Sequence, residues 1–250
     1  MTQALQEQGI GQVLDIVPNH MATVPENAWW WDVLANGSSS RYANYFDIDW
    51  HGPESRLRNK ILLPVLENHY GRVLEAGKIR LVRMGAWFQV HAPGHPLPTT
   101  PESLDLMLAL AAGRCRSEEL ESIAAALGRL PPGTATDPEQ IRERERDSDV
   151  LLGQLARLLD ERPEVAQAVD GVIAFVNADP DTLDALLRRQ NYRLAYWRTA
   201  GRDLPYRRFF DIYTLVGLNM ERDEVFTAAH ALILRLVDEG ILDALRVEHP

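Results

Sequence analysis

One cysteine stands among 250 residues. Cys115 therefore excludes a disulfide within the chain and fits a reducing compartment, and it reads as a half-buried helix residue. No stretch approaches the run of roughly 20 apolar residues that a membrane span needs. The opening MTQALQEQGI also lacks the basic and apolar blocks of a signal peptide, so a cytoplasmic protein without membrane contact is the default reading. Basic charge is in deficit: 26 Lys and Arg against 36 Asp and Glu leave a formal charge of -10. That balance repels a phosphate backbone and argues against nucleic acid as a partner. No Gly-rich phosphate loop precedes a helix, so no nucleotide cofactor is implied. His91 and His95 in HAPGH are split by Pro-Gly and have no third His or Cys nearby, which makes a poor zinc site, and no metal is expected.

With 46% hydrophobic and 25% charged residues, the chain has a globular make-up and enough length to bury one or two cores. TQALQEQG has helical propensity and ends at Gly9, after which QVLDIV reads as a short buried strand. A parallel strand pairs only with another reached by a crossover, so the start of the domain is expected to lie upstream. From Ala22 to about Trp50 the chain is rich in Trp, Asn, Ser and Tyr with little periodicity and reads as loop. KIRLVRMGAWFQVH alternates like a hairpin broken at Met84-Gly85. PESLDLMLALAAG, SEELESIAAALGRL, DPEQIRERERDSDVLLGQLARLLDE and DTLDALLRRQNYRLAYW each show helical spacing with a plausible N-cap. The ERERDSD run reads as a solvated helix face. ERDEVFTAAHALILRLVDEG is an amphipathic helix closed by Gly240, and it leads into a second buried strand, ILDALRVEH. This order predicts an α/β chain: a partial (β/α)8 TIM barrel with a long, mainly helical insertion after an early strand. Residues 1–21 and 206–250 form its barrel parts and residues 22–205 the insertion. Half a barrel would expose strand edges and apolar helix faces, and nothing in the sequence fixes an oligomeric state.

Two polar clusters end these strands: Asp15, Asn19 and His20 in DIVPNH, and Arg246, Glu248 and His249 in ALRVEH. Strand ends of a parallel barrel converge on one face, which would bring the clusters together across about 230 intervening positions. A buried Asp15 paired bidentately with Arg246 would fix the strand ends.

DIVPNH followed by LRVEHP resembles the first and second signature regions of the α-amylase superfamily. PENAWWWDVLANGSSSRYANYFDIDW, with RLAYWRTAGRDLPYRRFFDI, narrows the likeness to maltooligosyl trehalose synthases. The resemblance implies intramolecular transglucosylation of a maltooligosaccharide: its terminal α-1,4 bond becomes an α,α-1,1 bond, with no cofactor. It also implies a nucleophile position at Glu248, an Arg246 that holds the carboxylate ionised, and a His20 that hydrogen-bonds the sugar. Asn19 and Asp15 would support them, and His249 would line the neighbouring subsite. Retention needs two carboxyl groups about 5 Å apart, and the resemblance places the second, the acid/base, outside this chain.

The family's nucleophile is normally Asp, and Glu248 reaches about 1.5 Å further, one carbon-carbon bond. Either the backbone retreats to compensate or activity is weakened, since misplacement on the order of 1 Å costs about a hundredfold in rate. Trp29, Trp30 and Trp31 could stack on sugar, or pack a loop onto the barrel. Two other readings are a general α-glucan hydrolase or glucanotransferase, which would not call for WWWDVL or YRRFFDI, and a non-catalytic carbohydrate-binding protein.

Overall fold

The computed structural model describes residues 2–52, 57–85, 87–199, 204–210 and 212–249. Along the chain run α1 (Thr2–Glu7), β1 (Val13–Ile16), β2 (His20–Ala22), α2 (Ala28–Asn36), β3 (Ile61–Leu66), α3 (Tyr70–Glu75), β4 (Arg80–Met84), β5 (Trp87–Ala92) and β6 (His95–Pro98). The helices α4 (Asp105–Cys115), α5 (Glu118–Leu127), α6 (Pro138–Glu161), α7 (Pro163–Ala178) and α8 (Pro180–Arg188) follow. The chain continues through β7 (Tyr192–Tyr196), β8 (Arg208–Phe209), β9 (Ile212–Gly217), α9 (Asp223–Asp238) and β10 (Ala244–Val247). No described helix is long and apolar enough to cross a membrane. The chain divides into two compact units.

The first unit comprises Met1–Thr23, Asn44–Ile48 and Tyr206–Pro250. Gly9 (φ 67°) ends the run after α1, and Gly240 (φ 65°) ends α9, where its N–H and that of Ile241 donate to the last-turn carbonyls. The chain then enters β10, which pairs in parallel with β1, Asp15 opposite Arg246. The expected burial of these two strands does not hold: Val13 and Val247 are exposed. Among the described residues β1 and β10 pair only with each other, so water reaches both faces, and a barrel is not outlined by this pair. A separate antiparallel sheet runs in the order β2-β9-β8.

The second unit comprises Val24–Ala43 and Asp49–Pro205. Its core lies among α4, α5, α6 and α7, where Leu108, Leu120, Leu127, Leu155, Val165 and Val172 are wholly buried. Asp137 caps α6 by accepting the N–H groups of Glu139 and Gln140, and Asp179 caps α8 by accepting that of Thr182. The expected hairpin is present: β4 pairs with β5 across Gly85 (φ 64°), and β6 adds a third antiparallel strand.

Three expectations for this unit are corrected. The Trp-rich stretch is not all loop, because Asn27 accepts the Trp30 N–H and starts α2, burying Trp30, Val33 and Leu34. DTLDALLRRQNYRLAYW is not one helix: α8 stops at Arg188, and β7 pairs in parallel with β3 over Leu63 opposite Leu194. Only Tyr192 and Leu194 of β7 are fully buried, an alternation too short to stand out from the helical spacing before it. Finally, ERERDSD is not a wholly solvated face, since Arg144 is 1% exposed and Ser148 is buried.

Gly37 ends α2 at φ 63°, and a Cβ there would meet the Gly133 carbonyl oxygen at 2.7 Å and Asn191 Oδ1 at 2.9 Å. Gly37→Ala should therefore lower stability by about 1–3 kcal/mol from backbone strain alone, before any clash. Thermal denaturation checks this, and an unchanged midpoint would contradict it.

Candidate functional site

The parallel register sets Asp15 beside Arg246, and residues two apart on an extended strand share a face, so Glu248 joins them. The Glu248 N–H donates to the Ile16 carbonyl at 2.9 Å and carries the ladder one residue past β10. Arg246 Nη1 lies 3.1 Å from Asp15 Oδ2, and Nη2 lies 2.5 Å from Glu248 Oε1. The guanidinium thus bridges two carboxylates instead of gripping Asp15 bidentately. Nor is the site low in dielectric: the side chains of Arg246, Asp15 and Glu248 are 64%, 58% and 39% exposed. Exposed pairs contribute only about 0–1 kcal/mol each, so the bridge orients the Glu248 carboxylate more than it stabilises the fold.

Asn19 ties the two strand ends together. Its Nδ2 donates to the His249 carbonyl at 2.5 Å, and its own carbonyl accepts the Leu218 N–H at 2.9 Å. Because a carbonyl can only accept, the Asn19 amide nitrogen must face His249, and Oδ1 faces His20 Nδ1 at 2.7 Å. His20 Nδ1 therefore donates, and in the neutral ring Nε2 is the acceptor. The His20 ring stacks on Phe209 with centroids 4.0 Å apart, and His249 meets Phe209 edge-on at 5.0 Å. His249 itself is held at φ 51°, unusual for a non-glycine residue.

Burial, and secondly the charge of His249, pull His20 below its ordinary value of 6.5. A histidine depressed in the fold binds fewer protons than in the unfolded chain. Its stabilisation is present above 6.5 and is lost as pH falls toward the folded midpoint. In His249→Asn the His20 midpoint, followed by NMR of the ring protons, should rise toward 6.5; a midpoint that stays put would contradict this cause.

All six residues picked from the sequence (Asp15, Asn19, His20, Arg246, Glu248, His249) thus fall in one cluster of the first unit. Sequence reasoning had not singled out Phe209 or its neighbour Phe210, which meets His249 edge-on at 5.8 Å. The only signal was the adjacent aromatic pair in YRRFFDI, whose Asp211 lies outside the described residues, as do Ala200 to Asp203 of the preceding segment.

No protein-family model matches the chain. Two curated proteins of Mycobacterium tuberculosis, from strains CDC 1551 and H37Rv and named for maltooligosyl trehalose synthase, are each 31% identical to it over 252 aligned positions, all of this chain and 21% of theirs. The maltooligosyltrehalose synthase of Arthrobacter ramosus is 27% identical over the whole chain and 22% of its own, with a TM-score of 0.59. The chain matches one segment of the maltooligosyl trehalose synthases. A DSM5389 glycosyltrehalose synthase, 24% identical over 99% of this chain and 24% of its own at a TM-score of 0.59, shares the fold.

The chain spans about a fifth of the length of its curated maltooligosyl trehalose synthase relatives. The match to maltooligosyl trehalose synthases runs the length of the chain, and the second unit holds the Trp triplet. There Trp30 is 1% exposed and packs in the core, while Trp29 stacks on Tyr42 at 5.9 Å.

Proposed function

We propose that this chain is the part of a maltooligosyl trehalose synthase that carries the nucleophile, within a partial (β/α)8 barrel. Residues 1–21 and 206–250 supply the barrel parts, and residues 22–205 are the insertion. The reaction is the intramolecular conversion of the terminal α-1,4 bond of a maltooligosaccharide into an α,α-1,1 bond, in the service of trehalose synthesis. One observation carries this reading: the Arg246 guanidinium bridges Asp15 and Glu248 at the ends of two parallel strands.

With Oε1 held by Arg246, the other oxygen of Glu248 attacks the anomeric carbon. The C1–O4 bond breaks, and a second carboxyl group, supplied from outside these residues, protonates the leaving oxygen. The released glucose stays bound, and its anomeric hydroxyl attacks the glycosyl-enzyme as the same carboxyl takes its proton. No water is consumed, so water must be kept out. His20 Nε2 accepts a sugar hydroxyl, Asn19 and Asp15 support the strand ends, and His249 lines the neighbouring subsite.

The test is to express the chain with any coding sequence that flanks it and incubate the product with maltopentaose. Loss of reducing ends with little free glucose supports the reading. New reducing ends would instead indicate a general α-glucan hydrolase, and no change would indicate a binding protein.

A further inference from the structure

A cleft of about 570 Å³ opens in the second unit between α2, the β5–β6 sheet and α6. That volume lies within the range of about 300–1,000 Å³ of small-molecule sites. It shares no residue with the cluster of the first unit. Four aromatic side chains line it: Trp31, Tyr42, Trp87 and Phe88. Trp87 is the first residue of β5 and is 66% exposed. Beside a cavity, such a ring offers a flat face on which a ligand can stack.

The polar part of the lining narrows the ligand. Asp32, Gln89 and Asp149 stand around the aromatic rings. The Asp32 carboxylate is engaged by Ser40 Oγ and by Asn36 Nδ2, and burial raises its pKa. The cationic group of the lining, Arg41, is already paired with Glu145 at 2.9 Å and lies over the Tyr42 ring at 4.8 Å. An anion would meet two carboxylates and a neutralised guanidinium. A purely apolar ligand would leave unused the Gln89 amide nitrogen and the exposed Asp149 carboxylate, which stand beside the rings. A neutral polyhydroxylated chain satisfies both requirements, with C–H faces on the indoles and hydroxyls on the carboxylates and amide.

We propose that this cleft is a binding site for a short neutral oligosaccharide, with Trp87 as its stacking platform. That the sugar is an α-1,4-glucan rests on the function proposed above; that it is a neutral sugar rests on the cleft lining alone. The site would hold a stretch of glucan that is not being cleaved, adding to the hold on long substrates.

The probe is maltotetraose, titrated into the 15N-labelled chain while the tryptophan indole N–H signals are followed. The Trp87 signal is identified by its loss in Trp87→Ala. It should shift saturably, and Trp87→Ala should weaken binding at this site about tenfold, read from the Trp31 signal, with Trp87→Phe restoring most of the loss. An exposed ring is dispensable for folding, so the variant remains interpretable. Unmoved Trp31 and Trp87 signals would overturn the proposal, as would an equal response in Trp87→Ala, and an equal response to cellotetraose would overturn the α-1,4 assignment. If Trp87 responds yet no trehalosyl product forms, the cleft stands and the mutase reading fails. Product without a Trp87 response gives the reverse.

Discussion

Glu248→Gln, made in the chain with its flanking coding sequence, should lower turnover of maltopentaose by on the order of 10⁴ or more, the scale on which removal of a covalent nucleophile acts. The amide keeps the shape of the side chain and can still meet Arg246, but it has no charge with which to attack. Stability should move by less than about 0.5 kcal/mol, because the side chain is partly exposed and its ion pair faces water. Turnover and unfolding midpoint measured on the same preparation separate the two effects. A loss of activity that tracks a loss of fold would contradict the assignment. Glu248→Asp sharpens the point. If the added methylene misplaces the carboxylate, shortening it should raise turnover; equal or lower activity would mean that the backbone is already adjusted to Glu.

The second large effect is on stability. Arg144 is buried on α6, and its guanidinium meets three partners: Glu102 Oε2 at 2.6 Å, the Pro131 carbonyl oxygen at 2.5 Å and Asn36 Oδ1 at 3.2 Å. Arg144→Met removes the cation and leaves a largely buried carboxylate with two orphaned acceptors. Breaking one side of a buried pair costs about 3–5 kcal/mol. Arg146, two residues along, pairs with Asp147 on the surface at 2.7 Å, and Arg146→Ala should cost less than about 0.5 kcal/mol. Urea unfolding of both variants provides the comparison. Similar midpoints would contradict the claim that Arg144 ties α6 to the segment that carries Glu102 and to the end of α2. Glu102→Gln added to Arg144→Met should recover part of the loss, because it removes the uncompensated charge.

The contrast between Arg144 and Arg146 also shows where sequence reading stops. Both sit in one run of alternating charges, and nothing in that run tells which arginine points inward. That choice is made by Glu102 and Asn36, which lie far away along the chain, and by the Pro131 carbonyl shortly before α6. The same holds for β7, whose partner β3 is more than a hundred residues upstream, so helical spacing carried over from α8 masked it. Where the signal is local, the chain is legible. Asp137 caps the helix expected to follow it, Gly85 breaks the hairpin, and Gly240 closes α9 ahead of β10. The cluster was legible for another reason: each half of it is a compact run, DIVPNH and LRVEH, and the parallel pairing of β1 with β10 brings the halves together in register. What the runs could not convey was exposure. A guanidinium bridging two water-facing carboxylates replaced the expected buried bidentate pair, because burial depends on the strands and helices that pack against a pair, not on the pair itself.

The most direct test of the central claim is to trap the glycosyl-enzyme. The chain with its flanking sequence is incubated with a fluorinated α-glucosyl fluoride that reacts quickly and turns over slowly, then digested and mapped by mass spectrometry. A hexosyl adduct on the carboxylate of Glu248, absent from Glu248→Gln, is the predicted result. A label on a different carboxylate in protein that converts maltopentaose would contradict the account.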